Sequence, residues 1–557
     1  MEERDCKTVL RVFLGSLLCS VFQAFPRLLL PLKRSRCFIH PMRKFLIALL
    51  PAALLLFFSY GFSQNSSTPP LPTPPAAPQQ TPPPVAAPQT SPTPQASTPA
   101  QPQNTPSPNR VEVEPVEPAE KDHQITPAEA KELFRSVDEI LRFASKDTGL
   151  PIKKKVKRTI VSRAQVEKYI DTKFKDDADR IRFERSELVQ KKFGLLPRTF
   201  DLHSFLVKLL TEQVAGYYDE KTRTMNLLDW NEPDMQRPVM AHELTHALQD
   251  QSFNLEKMSK HDEEIEKRGM EDLKGMLSSD EESTARSAVL EGQAMIVLLD
   301  YVLAPQGGSV EKTPGVVDLM QASMDKSRGS PVFDSAPLLL QEELAFPYRQ
   351  GMKFIKDLLV AGGKPLAYTG VLGRLPQTTR EIMEPKEYLA GRRVPPLLLP
   401  DLGFLKKDYE PYDAGAVGEL DVNILLRIYA DEDLAKRLTP EWRGGAYYAA
   451  GRRGAKPTDR NSSAHIGLFY VSKWATDAAA KEFARIYAAA LPTRYQSLRR
   501  VPADAAIPGR DQYASSDGPI FIQQTGNAVV AVETFDEDAA KKLIEAGSKQ
   551  ADTNLKE

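Results

Sequence analysis

Cysteine is almost missing from this sequence, and the few that occur stop early. Cys6, Cys19 and Cys37 all precede residue 42 of a 557-residue chain. Beyond them no disulfide can form and no thiolate can hold a metal, so a metal there must be bound by imidazole and carboxylate. A surplus of one charge sign is also lacking, since 73 Lys and Arg face 74 Asp and Glu. That balance gives no electrostatic footprint for nucleic acid, and no nucleic-acid partner is expected. The balance is uneven along the chain. Residues 1–63 hold 9 basic and 3 acidic residues, which leaves 64 and 71 beyond them, a net charge of about −7, ordinary for a soluble surface.

Between Lys44 and Arg110 there is no charged residue at all. Met42-Arg43-Lys44 leads into the apolar run Phe45 to Phe62, with Gly61 and Ser63 at the small-residue positions that precede a cleavage after Ser63. A short basic start, an apolar stretch and small residues make a secretory signal. Its eighteen residues also nearly span a bilayer, so an uncleaved membrane anchor is the competing reading. Residues 1–41 contain a second apolar stretch, Leu10 to Leu32, followed by Lys33-Arg34-Ser35-Arg36, and we expect translation to begin at Met42. From Pro69 to Pro108, 16 of 40 residues are proline, interleaved with Gln, Ser, Thr and Ala. Such a segment cannot bury enough apolar surface to fold and is biased to extended polyproline II. It reads as a tether.

Folded structure is expected from Thr126-Pro127-Ala128-Glu129, an N-cap, a first-turn proline and a capping-box glutamate ahead of a helix ending near Gly149. Ile152 to Val161 reads as a strand with a basic, solvated face, and a charged helix is expected over residues 164–192. Residues 202–214 read as helix. Gly216 to Asp219, a turn at Glu220-Lys221 and Thr224 to Leu227 read as a strand-turn-strand unit.

Directly after it comes Val239-Met240-Ala241-His242-Glu243-Leu244-Thr245-His246-Ala247-Leu248-Gln249, which contains HExxH. Helical positions i and i+4 lie on one face, so His242 and His246 can offer two imidazole nitrogens to one zinc ion. Glu243 points to an adjacent direction, where it can take a proton from an activated water. Asn231 to Asp234 reads as a loop, with Pro238 just upstream of the helix. The bland alternative is a pair of structural histidines on an amphipathic helix.

Two histidines leave zinc under-coordinated. No further histidine follows His246 at short spacing, so a carboxylate is favoured as third ligand. Glu291 is the best source, on a helix read over Glu281 to Leu303, because its helical neighbours Ala288, Ala294, Met295 and Leu298 are apolar. A glutamate there is costly unless paired or bound to metal. Gly292 beside it suits close approach to another helix. Glu281 and Glu282 are the competitors, but read as first-turn residues at a helix dipole end they need no further role. Tyr301, Tyr348 and His203 are candidates for stabilising a developing oxyanion. Tyr348 is preferred because Phe346 to Gly351 precedes an apolar helix that suits a cleft wall. Asp250 and Asp300 are candidates to support the histidines, with surface charge as the alternative.

HELTH followed on a later helix by Glu291 in an LEGQA setting resembles the gluzincins, zincin metallopeptidases with two His ligands and one Glu. The GYYDEKTRTMNL unit resembles the strand pair that borders the cleft in such enzymes, and the resemblance covers roughly residues 200–303. It implies an α+β fold with a zincin-like domain, a zinc cofactor on His242, His246 and Glu291, Glu243 as general base and a peptide or protein substrate. An edge strand at Gly216–Asp219 or Thr224–Leu227 would hold the substrate extended.

Beyond Leu375, prolines mark a wrapping segment. Residues 411–440 read as helical, and strands are expected near Trp442–Tyr448, Ile466–Val471, Ile520–Gln523 and Ala528–Val532. Helices are expected from Thr476 to about Ala490 and over Glu537–Ala546. The expected divisions are 1–63 (extension with signal peptide or anchor), 64–121 (Pro-rich linker), 122–400 (zincin-like catalytic domain) and 401–557 (α+β accessory domain). The protein is expected to be exported, periplasmic or secreted, or held at a membrane through residues 45–62. The sequence specifies no oligomeric state. Two rival readings stay open. One is a catalytically silent zincin-like binding or assembly module of the cell envelope. The other is a zinc hydrolase of a non-peptide amide or ester.

Overall fold

A computed structural model describes residues 124–166, 177–212, 216–219, 222–326, 331–456, 459, 462–502 and 509–553. The expectations for residues 1–63 and 64–121, for 167–176 of the charged helix, for 213–214 and for the turn at Glu220-Lys221 fall outside the described residues.

Helix α1 (Pro127–Thr148) starts as its sequence dictates. Thr126 Oγ1 accepts the Glu129 N–H at 3.3 Å while the Thr126 N–H donates to Glu129 Oε2 at 2.7 Å, and Gly149 closes the helix in the left-handed region. The strand that follows is shorter than expected. Only Lys157–Val161 (β1) pairs; the N–H groups of Lys153 and Lys154 instead donate to Gln251 Oε1. Helices α2 (Asp177–Phe193) and α3 (Leu202–Glu212) come next.

The strands β2 (Tyr217–Asp219) and β3 (Thr224–Leu228) pair antiparallel, with Tyr217 opposite Asn226, and β1 adds parallel to β3. The order β1-β3-β2 puts β3 in the middle. Of the two strands expected to bind substrate, Thr224–Leu227 is therefore flanked on both sides. Only β2 lies at an edge, and all three of its residues are buried.

The helical layer is built by α1 with α4 (Pro233–Phe253), α5 (Leu255–Arg268), α6 (Leu273–Leu303), α7 (Gly315–Lys326) and α8 (Leu338–Pro365). Two starts differ from the sequence reading. α4 begins at Pro233, in the segment expected to be a loop, so Pro238 lies inside it. Proline suits the first turn, where Pro233 sits, but Pro238 gives up one intrahelical bond. α6 begins at an N-cap, Asp272, whose Oδ1 accepts the Gly275 N–H at 2.9 Å. Glu281 and Glu282 are thus in its third turn rather than at a dipole end. α6 and the turn after it are long and apolar enough to cross a membrane, yet most of that stretch is buried in the protein core. The first expected role of Tyr348, on a segment leading into a helix, also changes: Phe346 to Gly351 is inside α8. α8 breaks at Gly362-Gly363 and is followed by one π-helical turn, Leu366–Gly370.

Two short helices, α9 (Thr379–Met383) and α10 (Pro385–Leu389), lead to an antiparallel sheet. Its strands are β4 (Tyr409–Ala416), β5 (Trp442–Arg452), β6 (Ile466–Trp474), β7 (Arg499–Val501), β8 (Arg510–Ser515), β9 (Gly518–Thr525) and β10 (Ala528–Glu533), in the order β4-β5-β6-β10-β9-β8-β7. Helices α11 (Glu419–Tyr429), α12 (Glu432–Leu438) and α13 (Asp477–Arg494) pack on one face. α14 (Glu537–Thr553) packs on the other. The chain is thus α+β. The helix expected over 411–440 is present as α11 and α12, but its first residues belong to β4, whose sequence YEPYDAGA carries too few branched or aliphatic side chains to display a strand period. β7 and β8 were not expected, being polar and only half-buried or exposed.

The layers are joined by buried polar bonds. Asp280 Oδ2 on α6 accepts the Ala416 N–H at 3.0 Å, and Glu281 Oε2 accepts both the Thr379 N–H at 2.9 Å and its hydroxyl at 2.8 Å. Burial pushes Asp413 on β4 up to about 8, with the Tyr447 hydroxyl donating to it.

Candidate metal centre

His242 and His246 lie one helical turn apart in the middle of α4, and α6 packs across them carrying Glu291. The approach depends on glycine. A Cβ on Gly292 would lie 2.3 Å from the backbone carbonyl of Gly351 on α8, and one on Gly351 would lie 2.1 Å from the Ala288 carbonyl oxygen. The backbones of α6 and α8 therefore touch beside Glu291, and that contact brings Tyr348 against the site. Gly292→Ala is expected to cost about 1–3 kcal/mol, read as a lower urea midpoint.

Three donor atoms converge. His242 Nε2 is 3.1 Å from Glu291 Oε2, His246 Nε2 is 3.3 Å from the same oxygen, and the two nitrogens are 3.2 Å apart. Zinc bonds to nitrogen and oxygen of about 2.0–2.1 Å in a tetrahedron put neighbouring ligands about 3.3 Å apart, so this triangle matches one face of a zinc tetrahedron. Among the described residues it is the group of His, Cys, Asp or Glu whose ligand atoms cluster in this way. His242 is fully buried and the other two side chains are 13–14% exposed.

The electrostatics favour a cation at that point. Burial lowers the His246 pKa, but the Glu291 charge outweighs it and the ring is pushed up to about 9. Burial likewise raises Glu291, yet the facing histidines hold it down at about 2.

Glu243 lies beside this face. Its Oε2 accepts the Tyr218 N–H of β2 at 2.9 Å, while Oε1 is buried and has no partner among the described residues. Burial raises its pKa, opposed in part by His242 and His246. The Tyr348 ring stacks on His242 at 6.2 Å, and its hydroxyl hydrogen-bonds Glu291.

The groups expected to support the histidines do something else. Asp250 accepts the Tyr218 hydroxyl at 3.2 Å. Asp300 is no surface charge: it is buried beside Asp147, accepts the Val310 N–H, and is pushed up to about 7 by burial and by Asp147. Tyr301 packs edge-on against Phe143, and His203 is exposed on α3. Glu281 is bonded to Thr379, and Glu282 faces Arg286 and Asp262. Sequence reasoning missed the residue that does contact a histidine: Gln249 Oε1 lies 2.8 Å from His246 Nδ1. Its spacing of three from His246 was a usable signal, because i and i+3 share a helix face. The His242 Nδ1 has no hydrogen-bond partner among the described residues.

The family described as "Domain of unknown function (DUF8575)" matches residues 409–544. That span runs from β4 into α14 and includes none of the converging side chains. No curated protein and no solved structure matches the chain.

Proposed function

We propose that this protein is an exported zinc-dependent metallopeptidase of gluzincin type, with His242, His246 and Glu291 as zinc ligands. The observation that carries the reading is the near-equilateral donor triangle with a buried, half-partnered Glu243 beside it. Zinc held there would supply a water of lowered pKa and polarise a scissile carbonyl. Glu243, raised by burial, is suited to receive a proton at Oε1 and to pass it to the leaving amine. The Tyr218 N–H steadies the other oxygen of that carboxylate. Tyr348 orients Glu291 and is the hydroxyl we assign to the developing oxyanion. The run Phe45 to Phe62 directs export, by cleavage or as an anchor, and the Pro-rich segment spaces the folded body from it.

The test is metal content. One zinc per chain is expected, lost in His246→Ala and in Glu291→Ala. Zinc must displace the His246 proton, which is held below a pKa of about 9, so rising pH frees the site. Affinity is therefore expected to climb about tenfold per pH unit from 6 to 8, measured by chelator competition. A chain that takes up no zinc contradicts the reading; an affinity flat over that range means that His246 is not held protonated by Glu291.

A further inference from the structure

We infer that Gln293, which makes no hydrogen bond to the three donors, acts through Gln249 to decide which nitrogen of His246 carries the proton. The inference rests on the zinc reading and names two positioning residues for it.

A primary amide has a donating and an accepting end, so a chain of amides has a direction. Here the direction is set by main chain at two points, the Leu290 carbonyl beside Gln249 and a pair of carbonyls at the far end. The carbonyl oxygens of Ala367 and Tyr368, in the π-helical turn Leu366–Gly370, can only accept. They take the Gln293 Nε2 group at 2.8 and 3.2 Å, which turns Gln293 Oε1 toward α4. That oxygen accepts from Gln249 Nε2 at 2.9 Å, and the same nitrogen also donates to the Leu290 carbonyl at 3.1 Å. Gln249 Oε1 is thereby presented to His246 Nδ1 at 2.8 Å, a contact that only an Nδ1–H can satisfy. A neutral ring protonated on Nδ1 has its lone pair on Nε2, the nitrogen that faces Glu291 and His242. Reversing Gln293 would set its oxygen against the Ala367 and Tyr368 carbonyls and its NH2 against that of Gln249, and reversing Gln249 would set its oxygen against the Leu290 carbonyl and Gln293 Oε1. Both glutamines are fully buried, so water cannot repair the mismatch. The relay thus ties the metal-binding tautomer to a turn more than seventy residues beyond Gln293.

Methionine keeps the length of glutamine while removing both ends of the amide. Zinc affinity of the full chain, by chelator competition, is expected to fall about 10- to 100-fold in Gln249→Met and about tenfold in Gln293→Met. Because the two act in series, the double variant is expected to be no weaker than Gln249→Met alone. Independent packing damage would multiply the two losses. With isotope-labelled histidine in the zinc-loaded wild-type chain, the His246 Nδ1–H is expected to be protected from solvent exchange, and to lose that protection in Gln293→Met. Should Gln293→Met fail to fold, the wild-type measurement decides: fast exchange overturns the relay. A Gln293→Met affinity within twofold of wild type, or losses that multiply, also overturns it. If zinc is bound and lost in His246→Ala while Gln293→Met is unchanged, only the relay falls. A wild-type chain without zinc sinks both readings.

Discussion

Glu243→Gln is expected to leave zinc stoichiometry at one per chain and to lower kcat/KM on peptides by about 10²–10⁴-fold, the range for loss of a general base. The substitution keeps shape and keeps an oxygen to accept the Tyr218 N–H, which is the one hydrogen bond the carboxylate makes among the described residues. What it removes is the capacity of Oε1 to hold a proton. A mixed peptide library, read by mass spectrometry against wild type at equal zinc loading, measures the effect. Cleavage retained in the variant would remove Glu243 from the mechanism. Zinc uptake without cleavage by either chain would favour a binding module, and turnover of amides or esters other than peptides would favour the third reading.

The second large effect is on stability. Arg494, at the end of α13, donates to Glu533 on β10 at 2.6 and 2.8 Å and to the Lys192 carbonyl of α2 at 2.7 Å. The Tyr487 hydroxyl donates to the same carboxylate at 2.6 Å, and the Tyr495 hydroxyl joins it. Both charges are buried, with side-chain exposures of 2% and 0%. Arg494→Met leaves Glu533 buried without its hydrogen-bonded guanidinium, with only the more distant Lys192 ammonium nearby, and frees the α2 carbonyl, a loss of about 3–5 kcal/mol. That is a large share of the margin that keeps a typical domain folded. Urea unfolding of metal-free protein is expected to show it as a lower midpoint with unchanged slope. A shift below about 1 kcal/mol would mean that the pair is idle.

Local physics made parts of this molecule legible. The capping box at Thr126 and Glu129 announces α1 because its bonds span three residues. The four-residue spacing of His242 and His246 is a statement about helix geometry, and Glu291 stood out as an acid among apolar neighbours. Where reasoning from sequence went astray, the deciding contact was distant. Glu281 looked like a dipole-end residue because the helix start at Asp272 was missed, and nothing local revealed its partner, Thr379, 98 positions away. Asp250 and Asp300 were weighed as supports for the histidines because carboxylates are conspicuous. The neutral Gln249 and Gln293 fill that place; Gln249 could be found from its three-residue spacing to His246, whereas Gln293 meets no histidine directly and carried no such signal. β4 was lost because its residues show no strand period, and the bond that satisfies its buried Asp413 comes from the Tyr447 hydroxyl on the neighbouring strand.

Helix α6 runs for 31 residues, about 46 Å at 1.5 Å per residue. Its third turn is tied to the seven-stranded sheet through Asp280 and to α9 through Glu281, and Glu291 follows ten residues after Glu281 on the same rod. A stiff rod carries displacement along its length. A ligand that tilts β4 is therefore expected to change the zinc affinity proposed for Glu291 only so far as the Gly292–Gly351 contact with α8 lets the rod move.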